Sequence, residues 1–207
     1  MRIVIKIGTN VVVGKDGQIN TDRLEGIARD IKNLQTQGHE VALVVSGAVA
    51  CGKPYAPKAP LQSQRKVLAA IGQPILMGAL SQTFHQRGLT VGQCLLSRGD
   101  FASRELYDNL VNIIEEFFKG RVIPVLNEND VLASPSLNFG ENDSLAASFA
   151  IAIKADQLLL LTNQPGLLSR DPQKDENAQL IPVVTRVDKE IERLCSKEAS
   201  ESGRGGM

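Results

Sequence analysis

Apolar runs with no polar alternation constrain this chain more than any other feature. Residues 41–45 are apolar at every position, and so are residues 122–126. A strand with one wet face repeats every second residue. A strand that is apolar throughout is covered on both faces, which is the mark of a parallel sheet lying between helices. Arg2–Ile7, residues 89–96 and Gln157–Leu161 read as further strands. Strands that alternate with helical segments predict an α/β fold with a mostly parallel sheet and right-handed crossovers.

The helical segments announce themselves by spacing and by stop signals. Asn20, Thr21 and Asp22 offer caps to a helix with Leu24, Ile27, Ala28, Ile31 and Leu34 on one face and Gly38 at its end. Gly72 and Gln73 divide the next region into two expected helices, residues 61–71 and 74–87, with Pro74 at a first helical position. Residues 103–119 predict a helix with Leu106, Leu110, Ile113, Ile114 and Phe117 facing inward. Beyond Asp171-Pro172 the chain turns polar, and a hairpin strand at residues 180–184 and a short helix at 188–195 are expected.

Composition narrows the function classes. The chain has 207 residues, with 23 basic against 23 acidic side chains, a balance that argues against a general nucleic-acid or membrane surface. One domain over residues 1–207 is expected, with small molecules or copies of itself as partners. Cys51, Cys94 and Cys195 form no CxxC pair, so neither a disulfide framework nor a zinc site is indicated. The N-terminal strand, interrupted by Lys6, is not a signal peptide, and no apolar run approaches bilayer-spanning length. A cytoplasmic protein is expected.

The chemistry gathers at strand ends. After residues 122–126 come Asn127-Glu128-Asn129-Asp130 and then Gly140-Glu141-Asn142-Asp143. In an open α/β sheet, ligands sit outside the carboxyl ends of the strands. Each piece alone is ordinary: Asp143 suits a helix cap and residues 127–130 suit a solvated turn. Together, after one buried strand, they predict a site for a small charged substrate.

Lys6-Ile7-Gly8-Thr9, Ser46-Gly47-Ala48 and the final residues 203–207 combine glycine with polar side chains. Glycine-exposed amides with a nearby lysine suit a polyphosphate. Lys6 is the most telling residue, because an ammonium in an apolar strand is costly without an anionic partner. The alternative is an edge strand with its lysine reaching water. His39 and His85 read as bystanders.

In order and spacing these segments, with Ala69-Ala70-Ile71-Gly72-Gln73, Val91-Gly92-Gln93-Cys94-Leu95-Leu96, Leu160-Leu161-Thr162-Asn163 and Gly203-Arg204-Gly205-Gly206-Met207, resemble the glutamate 5-kinases of the amino-acid kinase family. The resemblance implies a three-layer αβα fold and transfer of the γ-phosphoryl group of ATP to the side-chain carboxylate of L-glutamate, the first step toward proline. By it, Lys6 and Asp143 are catalytic. Ser46, Asp130 and Asn142 bind glutamate. Lys6, Gly8, Gly47, Thr162, Asn163, Arg204, Gly205, Gly206 and Met207 meet the nucleotide. Mg²⁺ accompanies ATP without a dedicated protein ligand set, and a homo-oligomer is implied.

The sequence also departs from the family. Asn163 stands where the family has aspartate, and Arg204 where it has threonine. The family continues past Gly-Gly-Met to a second lysine and further helices and strands. On this reading the chain is an incomplete kinase domain, and a non-catalytic glutamate-binding module is the alternative.

Overall fold

The computed structural model describes residues 1–14, 17–58, 61, 63–132, 139–170 and 175–194. The chain forms two compact units, Met1–Leu161 and Thr162–Met207. The first runs β1 (Arg2–Ile7), the single turn α1 (Thr9–Val12), α2 (Thr21–Thr36), β2 (Glu40–Val45), α3 (Ala48–Gly52) and α4 (Gln64–His85). It continues through β3 (Thr90–Leu96), α5 (Arg98–Ala102), α6 (Arg104–Lys119), β4 (Val122–Glu128), α7 (Asn142–Ala152) and β5 (Gln157–Leu161).

The five strands are parallel, in the order β3-β4-β2-β1-β5. Alternate residues serve opposite faces. Ile3, Ile5 and Ile7 pack with Leu24, Ile31, Leu76, Leu80 and Phe84 of α2 and α4. Val4, Ala42 and Val44 pack with Leu110, Ile114, Leu145 and Phe149 of α6 and α7. Each fully buried leucine or phenylalanine contributes about 1.5–3 kcal/mol, so two such layers hold β2 and β4 rigidly in the middle. The layered α/β architecture expected above is the one observed.

Register brings the carboxyl ends of the strands level. Ile7 is paired with both Val45 and Leu161, and Leu96 with Glu128. Backbone bonds carry the alignment into the loops, Ser46 N–H to the Ile7 carbonyl at 3.0 Å and Asn129 N–H to the Leu96 carbonyl at 2.7 Å. β4 extends through Asn127 and Glu128, both buried, so the polar loop begins two residues later than its composition predicts.

The expected pair of helices between residues 61 and 87 is one continuous helix, α4, with Pro74 inside it. Pro74 removes a hydrogen bond from the Ala70 carbonyl, but both residues are exposed, so water replaces it. Gly72 is there for contact: a Cβ on it would lie 1.8 Å from the Ala48 carbonyl oxygen, and one on Gly52 would lie 2.1 Å from the Leu68 carbonyl oxygen. Glycine on both sides lets the backbones of α3 and α4 touch. Contrary to the expectation about apolar runs, α4 is long and apolar enough to cross a bilayer by length and composition alone. Here it packs on α2, α3 and the sheet.

Other details also differ from expectation. On α6, Leu110 and Ile114 are buried while Leu106 and Ile113 are exposed, so the inward stripe is narrower than its apolar spacing suggests. In the second unit the expected hairpin strand reduces to a single bridge, Leu168 with Leu180, and Val183 and Val184 are exposed. The short helix is present as α8 (Lys189–Leu194), with the Asp188 carboxylate accepting the N–H of Ile191 at 3.0 Å.

Candidate active site

β1 lies between β2 and β5, so Lys6 belongs to an interior strand, and the edge-strand alternative fails. It follows Val4 on the α7 face of the sheet, where its ammonium meets the Asp143 carboxylate at 2.8 Å. Only 11% of the Lys6 side chain is exposed. The approach to Asp143 Oδ1 is off-axis for a hydrogen bond, so the contact is mainly electrostatic. Among the described residues this carboxylate is the sole ion-pair partner of Lys6, which leaves N–H directions on the ammonium for another anion.

Asp143 is not the cap of its helix. Glu141 occupies that position with extended backbone, and Asn142 and Asp143 fall in the first turn, where backbone N–H groups favour negative charge. Burial, and then the charge of Asp143, push the Glu141 carboxyl above its ordinary range, while Lys6 draws it partly back.

An amide chain joins α7 to the strand ends. Asn142 Nδ2 donates to the Val45 carbonyl at 2.8 Å, to Ser46 Oγ at 2.9 Å and to Asn127 Oδ1 at 2.8 Å. Asn127 Oδ1 also accepts the N–H of Glu128 at 2.8 Å, and Asn127 Nδ2 donates to Gln73 Oε1 at 2.7 Å. Gln73 sits one residue past the glycine that seats α4 on α3, and that contact carries it to the strand ends. Its Nε2 is buried without an acceptor among the described residues. A donor left that way costs about 1–3 kcal/mol.

Gly47 has φ 118°, a left-handed value that strains any side chain, and a Cβ there would also meet Val13 at 3.3 Å. A Cβ on Gly8 would lie 3.2 Å from the Leu161 carbonyl oxygen and 3.8 Å from Lys6 Nζ. Gly8 thus leaves bare backbone beside the lysine and Gly47 bare backbone at the end of β2, features suited to a phosphate. Among the described residues no group of three His, Cys, Asp or Glu side chains is placed to hold a metal ion. The Cys51 and Cys94 thiols are pushed up by burial, which keeps them protonated and unreactive.

The structure therefore brings Lys6, Asp143, Ser46, Asn142, Gly8 and Gly47 to one edge of the sheet. Asp130 stands in the turn after β4, with Arg65 of the first turn of α4 at 4.0 Å. Thr162 and Asn163 open the second unit, where Thr162 Oγ1 accepts the N–H of Gln164 at 3.3 Å. Arg204, Gly205, Gly206 and Met207 lie outside the described residues. Asn127 and Glu141 belong to the two polar groups expected to form the site but carry no individual role there, and Gln73 and Arg65 carry none. Gln73 offers a signal of its own, a polar residue between a glycine and a proline.

The model of the amino acid kinase family matches residues 1–207. A glutamate 5-kinase of Shewanella amazonensis is 39% identical, covering all of this chain and 55% of that protein. One of Deinococcus radiodurans is 40% identical, covering all of this chain and 58% of that protein. The chain thus spans little more than half the length of these relatives. Among solved structures, an isopentenyl phosphate kinase superposes with a TM-score of 0.65 at 19% identity, over 90% of this chain and 81% of that one.

Proposed function

This chain belongs to the amino acid kinase family, and on that premise we propose that it transfers the γ-phosphoryl group of ATP to the side-chain carboxylate of L-glutamate. The product is L-glutamyl 5-phosphate, the first intermediate toward proline. The observation that carries the reading is the Lys6–Asp143 pair, a shielded ammonium held at the end of an interior strand beside the bare backbone of Gly8. The likeness to glutamate 5-kinases supports the choice of acceptor.

The acceptor is ionised at neutral pH, with an ordinary pKa of about 4.3, so no general base has to remove a proton. The difficulty is repulsion between two anions, and preorganised positive charge is the remedy. Lys6 supplies it, and Asp143 holds the ammonium in place without taking a proton. Ser46 and Asn142 hold the amino acid, and Asp130 provides the counter-charge for its α-ammonium, exchanging its distant Arg65 contact for a closer one. Gly8 and Gly47 admit the phosphates against backbone. Mg²⁺, held through the phosphates, supplies further positive charge when bound. The same proposal places the protein in the cytoplasm as a homo-oligomer.

Two measurements test the reading: ADP release with ATP and L-glutamate, and calorimetric titration with L-glutamate alone. Turnover in the wild type that Lys6→Ala abolishes supports the kinase. Glutamate binding without turnover leaves an amino-acid-binding module. Silence in both experiments removes the proposed substrate.

A further inference from the structure

We propose that Gln73 is a specificity-determining residue that donates its side-chain Nε2–H to a carboxylate oxygen of the substrate. The inference rests on the amino-acid substrate proposed above and adds a group that none of the sequence motifs assigned to it.

A side-chain amide has an acceptor end and a donor end, and its orientation is ordinarily inferred from its neighbours. Here two backbone groups settle it. The Val45 carbonyl can only accept, so it fixes Asn142 with Nδ2 inward. The Glu128 N–H can only donate, so it fixes Asn127 with Oδ1 toward Asn142. Asn127 must then offer Nδ2 to Gln73, and Gln73 must accept with Oε1. Each amide donates in the same sense along the row, and the last donor, Gln73 Nε2, has no acceptor among the described residues.

Turning Gln73 over would set two donors against each other, so the unmet donor cannot be relieved within the row. Among the described residues no carboxylate meets that donor: Asp143 pairs with Lys6, and Glu128 accepts the N–H of Phe139 at 2.6 Å. A molecule that enters the site can supply the missing acceptor. A carboxylate is the strongest acceptor available, because charge assistance roughly doubles such a bond. The other end of the row presents the complementary group. Asn142 Oδ1 has no partner among the described residues and is an acceptor suited to an ammonium. A zwitterionic substrate matches both ends.

The test separates donation to substrate from mere support of Asn127. Gln73→Glu keeps an oxygen for Asn127 Nδ2 but replaces the free donor by an anion; Gln73→Leu removes both. Calorimetry with L-glutamate at pH 8 is expected to show Gln73→Glu weakened about 100-fold and Gln73→Leu about 10-fold. Affinity of the Gln73→Glu protein is expected to recover as the pH falls and the introduced carboxyl gains a proton to donate. The opposite ranking, with Gln73→Glu close to wild type, makes Gln73 a support for Asn127 and overturns the proposal, as does equal affinity in all three proteins.

A second measurement covers loss of folding in the variants and failure of the substrate itself. The Gln73 side-chain NH₂ resonance of the wild-type protein is followed by NMR during titration with L-glutamate and with succinate. A downfield shift of one amide proton is expected with L-glutamate. If L-glutamate produces neither heat nor shift, the proposed substrate falls; a shift with succinate then retains the Gln73 donor, and none with either removes it too.

Discussion

Arg2 and Lys6 are two cations on one face of one strand, four residues apart, and their surroundings could hardly differ more. Arg2, at the amino end of β1, donates to Glu40 at 2.8 Å, to Glu115 at 2.7 and 3.1 Å and to the Ile153 carbonyl at 2.6 Å, with the Phe118 ring 4.8 Å from its guanidinium carbon. Burial works against its charge, but Glu115 and Glu40 outweigh it and the pKa is raised. Lys6, at the carboxyl end, is more shielded and has one carboxylate. A cation with its donors met ties the sheet together. A cation left short beside bare backbone is held ready for something else, and that distinction separates scaffold from site in this molecule.

The contrast can be broken most sharply at Lys6. Lys6→Ala is expected to lower phosphoryl transfer by about 10²- to 10³-fold, the usual cost of one preorganised charge, with little change in thermal unfolding. A drop in melting temperature with turnover intact would make Lys6 scaffold after all.

Asn142→Ala comes next. It unties α7 from Val45, Ser46 and Asn127, and L-glutamate affinity measured by calorimetry is expected to fall about 10- to 100-fold. Unchanged affinity would take the amide chain out of the site.

Arg2→Ala should show the reverse pattern. Glu40 and Glu115 are each about two-fifths exposed and can recover water, so a stability loss of about 1–3 kcal/mol is expected. That corresponds to melting lowered by roughly 3–10 °C, with glutamate affinity unchanged. A loss of affinity here would erase the division between the two ends of β1.

The smallest effect is at Glu141. Its carboxyl is raised in the folded state, mainly by burial, so the protonated form is the one folding favours. This contribution to stability is complete below the ordinary glutamate range and is lost as the pH rises through the raised value. Glu141→Gln is expected to flatten that decline in denaturation curves taken from pH 4 to pH 8. An unchanged slope would place Glu141 outside the electrostatics of the site.

Much of the scaffold could be read from residues alone because its signals are local. β1 ends with its apolar residues at Ile7, α2 starts on the Asn20 cap, which accepts the Arg23 N–H at 3.0 Å, and β5 ends with its run of leucines. Local spacing does not predict the continuity of α4, because its glycine answers to a contact 24 residues earlier in the chain, the Ala48 carbonyl, and its proline to an exposed face. The same holds at the site. Lys6, Ser46, Asn142 and Asp143 stood out as polar residues where strands end. The bond between Asn127 and Gln73 spans 54 residues and leaves no periodic trace.

The abutment of Gly72 on Ala48 has an implication for redesign. Because main chain rests on main chain there, that joint has no side chain to trim or enlarge so as to move Gln73. Adapting this protein to a longer or shorter acid would mean altering groups on the opposite bank, around Asp130, while leaving that joint alone.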